Sequence, residues 1–397
     1  MNKQIIFFEP KLAGSTFKMA RALKLKNNYE TILITFTKPN KQVAELAFDK
    51  ILYLDIKLIP TPKNLFNIFR KFTKKDTYNF INSVKKLNPY IVQIRGGSLE
   101  VILFLLIFKR YPRIYYLQDI WQYYYKKIIF SLRKDTGILQ PLNALISSIA
   151  CKMVDGILNR SGENSLDHLK NELKLKTPIL DFLPYCLDEW VLPIRKRAIK
   201  KSKEIHLVYA GTIWNKWKGH ASFPDMIKRI TNQNLHFHLY PSTKNEKLID
   251  IFKNIEKKDN FFHLYNRVDE DKINEIIKNY DYALHLDFYD GTINSLWYAT
   301  GMSAKIFGYI EAGLPIIINK QFKNMCNIIE ENNIGFGINY KDLDNLNEKI
   351  YSHKHPSKMD FIKVRKKYGI DRNIIKLERF YDKIHEVGIK RVNKNKI

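Results

Sequence analysis

Short runs of consecutive apolar residues recur along the whole chain, with spacers between them long enough for a helix. In the first half they fall at 5–8, 31–36, 51–54, 90–95, 113–117, 156–159 and 178–182. In the second half they fall at 205–212, 235–240, 261–265, 282–286, 316–318 and 333–340. Most lack the alternation of a half-exposed strand, which predicts parallel strands covered on both faces. Helix-sized spacers predict crossover connections, hence α/β sheets with helices on both sides. Residues 64–87 form a lysine-rich amphipathic stretch, and no internal repeat or low-complexity segment interrupts the pattern.

Two stretches add chemistry to this frame. Residues 298–318 read as loop, helix, tight turn and buried strand. Ser303 suits an N-cap, Ile306, Phe307 and Ile310 give the helix an apolar side, Gly313 suits a left-handed C-cap, and Pro315 blocks continuation. Lys305 lies in the first turn, where free N–H groups and the helix dipole favour a diphosphate. An ordinary αβ unit with a solvated lysine fits the same residues. Asp287-Phe288-Tyr289-Asp290-Gly291 places carboxylates after a strand, at the edge where open α/β sheets bind ligands. Near the start, the turn at 12–16 follows a strand and opens a helix, as in a Rossmann-like unit. It has no Gly-x-Gly-x-x-Gly, so no nicotinamide cofactor is indicated.

Composition narrows the class. With 397 residues and a 45% apolar share, the chain is globular and long enough for two domains. Three cysteines, Cys151, Cys186 and Cys326, have neither pairing nor zinc spacing, which predicts a reducing compartment and no metal site. The apolar start is too short for a signal peptide, and the longest apolar run, 101–108, is far below the roughly 20 residues that span a bilayer. The expectation is a cytoplasmic protein.

The net charge of +27 is uneven. Residues 1–150 hold 25 Lys and Arg against 9 Asp and Glu, 151–350 hold 28 against 26, and 351–397 hold 14 against 5. That split predicts a cationic surface with an anionic partner: nucleic acid, an anionic membrane or an acidic glycan. A lysine-rich coding bias would explain the total, but the asymmetry less well. Segment 109–134 interleaves six tyrosines and Trp121 with seven basic residues, among them Lys126, Lys127, Arg133 and Lys134. It suits a membrane interface, stacking on single-stranded nucleic acid, or a core helix with inward tyrosines.

The run Ser303-x-Lys305-Ile306-Phe307-x-Tyr309-x-x-Ala312-Gly313-x-Pro315-Ile316-Ile317 resembles the C-terminal nucleotide-sugar motif of the group-1 glycosyltransferases, which have the GT-B fold. The resemblance covers most of the chain and is strongest over 205–350. It implies two Rossmann-like domains facing a cleft, with a C-terminal helix crossing back to the first. The implied division is 1–194 for the acceptor-binding domain, 204–365 for the nucleotide-sugar domain, and 366–397 for the crossover helix and basic tail. The cationic stretch 195–203 would be the linker.

The match is incomplete. The family carries two glutamates with seven residues between them; Thr300 and Gly308 stand in those places. Glu311, one turn on, is the candidate replacement for binding the donor ribose. A Gly-Arg pair and a later Lys-Gly clamp the donor diphosphate in the family. Here Gly211-Thr212 lacks the arginine, Lys218-Gly219 keeps the second element, and Lys216 is a stand-in for the missing charge. By the same resemblance Arg267 or Tyr265 would stack on the base, Gly14 and Ser15 would touch acceptor or donor phosphates, and Ser303 would cap the phosphate-binding helix. Of the family's His-Asp-like pair facing the donor sugar only Asp119 carries over, as a candidate sugar contact, or as the base if transfer inverts configuration. A retaining enzyme needs no such base.

The implied activity is metal-independent hexosyl transfer, with no cofactor besides the nucleotide-sugar donor. Lys218, Lys305 and helix N-termini would stabilise the departing diphosphate. The excess charge points to a glycan or lipid-linked acceptor at the inner membrane face, in cell-surface polysaccharide or glycoconjugate synthesis. Two rival readings remain: a non-catalytic partner subunit, because the glutamates are missing, and a basic nucleic-acid binder. Against the second, no recognition helix or RNA-binding signature is present.

Overall fold

The computed structural model describes residues 2–53, 75–97, 99–118, 139–162, 165–166, 168–194, 204–213, 222–243, 245–288 and 295–394. They form two compact units. Unit 1 comprises residues 1–184 and 373–397, and unit 2 comprises 185–372.

Unit 1 is built on seven parallel strands: β1 (Lys3–Phe8), β2 (Tyr29–Thr35), β3 (Lys50–Tyr53), β4 (Ile91–Arg95), β5 (Arg113–Leu117), β6 (Gly156–Asn159) and β7 (Ile179–Asp181). They run in the order β3-β2-β1-β4-β5-β6-β7. Unit 2 repeats the plan with β8 (His206–Gly211), β9 (His236–Pro241), β10 (Phe262–Leu264), β11 (Tyr282–His285), β12 (Ile316–Asn319) and β13 (Gly335–Ile338). Their order is β10-β9-β8-β11-β12-β13. Every strand expected from the apolar runs is present, within a residue or two at its ends. Ile5, Ile6, Phe7 and Phe8 are all buried, because a central parallel strand is covered by helices on both faces.

Two parallel sheets with helices between their strands are the architecture expected from the resemblance. The boundary differs from the expectation. Segment 185–194 belongs to unit 2, not to the first domain. Leu187 N donates to Glu311 Oε1 at 2.6 Å, Leu192 N donates to Glu311 O at 2.9 Å, and Arg365 Nη1 donates to Leu192 O at 2.8 Å. Extended backbone of this kind goes where its hydrogen bonds are made.

The last helix, Ile370–Lys394, returns the chain to unit 1 from Asn373 onward. Lys3 Nζ donates to Asp382 at 2.6 Å, Tyr381 Oη donates to Gln93 Oε1 at 2.6 Å, and Arg391 Nε donates to Asp155 at 2.7 Å. Unit 1 thereby collects 37 Lys and Arg against 17 Asp and Glu, and unit 2 has 30 against 23. No helix among the described residues is long and apolar enough to cross a membrane.

Candidate functional site

The strand order of unit 2 reverses direction between β8 and β11, and open α/β sheets bind ligands beyond the strand C-termini at such a point. Register between these strands is made at Leu207 with Tyr282 and Val208 with Ala283. Further up, the Tyr309 hydroxyl sits between them. It accepts from Ala210 N at 3.1 Å and lies 3.3 Å from both Ala210 O and Leu284 O. Burial raises its pKa, so it keeps the proton that one of those carbonyls accepts.

Tyr309 reaches this point from the helix Ala304–Ala312, which has the predicted ends. Ser303 Oγ accepts from Lys305 N at 3.3 Å, and Gly313 closes the helix in the left-handed conformation, φ 68°. Lys305 runs from the first turn back over β8. Its Nζ donates to Tyr209 Oη at 2.6 Å, lies 3.6 Å from Asp287 Oδ2, and stands 4.3 Å from the Tyr209 ring centroid. Its side chain is only 20% exposed. Burial lowers the lysine pKa, and the neighbouring Asp287 opposes the shift. The lysine stem explains Gly211. That residue has φ +137°, and a Cβ there would stand 2.7 Å from Lys305 Cδ.

The surroundings fix the trio. Tyr209 Oη donates to Thr212 O at 2.8 Å, and Asn319 Nδ2 donates to Asp287 O at 2.6 Å. His285 Nδ1 lies 3.5 Å from Asp287 Oδ2, and its ring stacks on Phe322 with centroids 5.0 Å apart. Burial first, and Lys305 second, push its pKa well below the ordinary value, so it is neutral.

Of the residues singled out in the sequence, the fold brings Gly211, Thr212, Ser303 and Lys305 to one edge. Thr212 is exposed there and its Oγ1 lies 2.9 Å from Ser242 Oγ, at the end of the adjacent strand β9. Arg267 is exposed beyond β10. Glu311 is not available to a ribose: it is fully buried, with Oε1 accepting from Leu187 N at 2.6 Å and Oε2 from Asn274 Nδ2 at 3.0 Å. The turn of helix that aligns it with Gly308 points it inward. Ser15 is likewise buried, while Gly14 opens the first helix half-buried. Asp119, Lys216, Lys218 and the basic cluster 126–134 lie outside the described residues.

Three residues of the cluster had no sequence-stated role. Tyr209 and Tyr309 read as apolar-run and helix-face aromatics, and His285 as a strand residue. The signal that would have found them is a polar-tipped ring close to the ends of β8 and β11 or on the helix that follows them. In unit 1 the equivalent edge holds another unforeseen group. Glu9, just after β1, is ion-paired with Arg95 at the end of β4, and accepts from Ala13 N at 3.1 Å. Arg95 Nε donates to Gln118 Oε1 at 3.0 Å, and Arg160 Nε donates to Gln118 O at 3.0 Å.

No family model matches the sequence, and no curated protein matches it. Solved structures do match. A sucrose-phosphate synthase from Thermosynechococcus elongatus superposes with a TM-score of 0.67 at 10% identity, over 96% of this chain and 99% of that one. Anabaena HepE, solved with UDP and glucose, gives 0.65 at 9% identity over 96% and 100%. A UDP-N-acetylglucosamine 2-epimerase gives 0.52 at 10% identity over 93% and 91%. The fold of this chain is GT-B.

Proposed function

We propose that this protein is a glycosyltransferase that takes a sugar from a nucleoside-diphosphate donor. The observation that carries the reading is the half-buried Lys305, held by Tyr209 and Asp287 at the C-terminal edge where β8 and β11 part. A departing nucleoside diphosphate gains negative charge as the glycosidic bond breaks. A cation already fixed in a low-dielectric rim stabilises that charge without reorganising. Asp287 opposes the lowering that burial imposes on the Lys305 pKa, and Gly211 leaves room for its stem. Lys218 and Lys216 supply the further charges, and the transfer step needs no divalent cation. HepE with UDP and glucose, and the sucrose-phosphate synthase, support a sugar-nucleotide ligand on this fold.

The acceptor is a membrane-associated glycan or a lipid-linked sugar, met at the cytoplasmic face. Its support is the excess of cations in unit 1, more than a diphosphate requires. Each lysine or arginine near anionic headgroups contributes about 1 kcal/mol, an attraction that salt screens.

Thermal-shift titrations with UDP, GDP, CMP and ADP sugars test the reading, followed by assay of the released nucleotide with and without added Mg²⁺. One donor should raise the melting temperature and be consumed. A donor whose sugar changes configuration at C2 while remaining attached would make the chain an epimerase instead. No shift with any donor would remove the nucleotide-sugar reading. Anionic vesicles, but not zwitterionic ones, should co-sediment the protein at low salt; equal partitioning would remove the membrane acceptor.

A further inference from the structure

The two faces of the second sheet differ in kind. One carries Leu207, Tyr209, Phe237, Leu239 and Phe262 into an apolar core. The other carries four histidines on three neighbouring strands. His206 of β8 stands in register with His236 of β9, and His238 of β9 with His263 of β10. A parallel sheet beneath helices is ordinarily aliphatic on both faces, so this cluster is not explained by packing.

The imidazoles are close and mutually oriented. His206 Nδ1 lies 2.9 Å from His238 Nε2, and His236 Nδ1 lies 2.9 Å from His263 Nε2. His238 Nδ1 is 3.1 Å from Tyr265 Oη, a partner of the kind that fixes the tautomer of a ligating histidine. His236 Nε2 is buried and has no hydrogen-bond partner among the described residues. His206, His236 and His238 can each offer one ring nitrogen, with the three nitrogens within 4.8 Å of one another. Glu204 adds a carboxylate oxygen 3.6 Å from His236 Nε2 and 3.9 Å from His206 Nε2.

We propose that His206, His236 and His238 bind one divalent transition-metal ion, Zn²⁺ foremost, with Glu204 as fourth ligand. Imidazole nitrogen and carboxylate oxygen are the donors that Zn²⁺ takes at about 2.0–2.2 Å. Two nitrogens on a tetrahedral ion at that distance are about 3.3 Å apart. Opening the 2.9 Å contact between His206 and His238 by a few tenths of an ångström is therefore enough to exchange a shared proton for the ion. Four protein ligands close the coordination sphere, which makes the site structural. Its position agrees. His206 and His236 are the first residues of β8 and β9, whereas Gly211 is the last of β8. Five strand steps put the ion about 16 Å from the Lys305 edge. There it would pin the start of β8 to the neighbouring strand.

The cysteine spacing pointed away from a metal, and sequence gave no substitute. His206 and His236 are far apart along the chain, and only strand pairing joins them.

The test uses the full, tag-free chain, stripped with a chelator and dialysed. Zn²⁺ is titrated in competition with a chromophoric chelator, and Co²⁺ is followed by its visible spectrum. One equivalent should bind, the melting temperature should rise, and Co²⁺ should give tetrahedral bands. Loss of an outer-shell partner lowers metal affinity about 10–100-fold, so His206→Gln and His236→Gln should each cost at least about 100-fold. His353→Gln should cost nothing. For a readout that needs no variant, Zn²⁺ should block diethylpyrocarbonate modification of His206 and His236 in the wild-type chain, mapped by mass spectrometry. Absence of saturable binding, an octahedral Co²⁺ spectrum, or unaltered modification of both histidines would overturn the proposal and leave a metal-free imidazole ladder.

Discussion

The two sheets share a strand order, yet they fill the place where that order reverses with opposite chemistry. Between β1 and β4 a paired Glu9 and Arg95, extended by Gln118 and Arg160, occupies the edge. The pair is nearly buried, with side-chain exposures of 3% and 10%. Among the described residues, the edge between β8 and β11 holds the cation Lys305, packed on a glycine, with Tyr309 bridging the parted strands. A completed ion pair has little left to offer an anion. A lysine shared between a phenol and a carboxylate, one-fifth exposed, still does. The same topology therefore supplies a structural lock in one unit and a candidate phosphate edge in the other.

Breaking the lock should give the largest effect. Arg95→Met leaves Glu9 buried and unpaired, and should destabilise unit 1 by about 3–5 kcal/mol in denaturant unfolding. The double variant Glu9→Leu with Arg95→Met should recover most of that loss. If the single variant is neutral, the pair is not the lock described. On the other side, Lys305→Met should lower transfer about 10²-fold, or about 2.7 kcal/mol, with the fold retained. Wild-type turnover in a folded Lys305→Met chain would move the phosphate site elsewhere.

Glu311 sharpens the distinction between edge and interior. Glu311→Ala strands Leu187 N and the Asn274 amide, and should cost roughly 1–3 kcal/mol of unit 2 stability. Nucleotide affinity of the folded variant, measured by calorimetry, should be unchanged; a large loss would restore the ribose role. The smallest effect is a pH dependence. His285 is neutral and buried, so the unfolded chain takes up a proton near pH 6.5 that the folded chain refuses. Unit 2 should be unaffected by this group above that pH. It should lose up to about 1.4 kcal/mol per unit as pH falls below it. His285→Phe should flatten that slope, and an identical slope in the variant would assign it to other groups.

The strands, the helix Ala304–Ala312 and its caps were legible in the sequence, because apolar runs and capping residues act through local geometry. So was the edge holding Gly211, Thr212, Ser303 and Lys305: strand–turn–helix punctuation puts such residues at strand C-termini. What the lysine does there was not legible. Its partners Tyr209 and Asp287 are 96 and 18 positions away, and only the order of β8 and β11 brings them within reach of Nζ. The direction of Glu311 was equally hidden, since one helical turn decides between a ligand-facing carboxylate and one that accepts from Leu187. The histidine ladder shows the same limit most plainly. Periodicity sets which face of a strand each imidazole occupies, but neighbouring strands and their register decide which imidazoles meet.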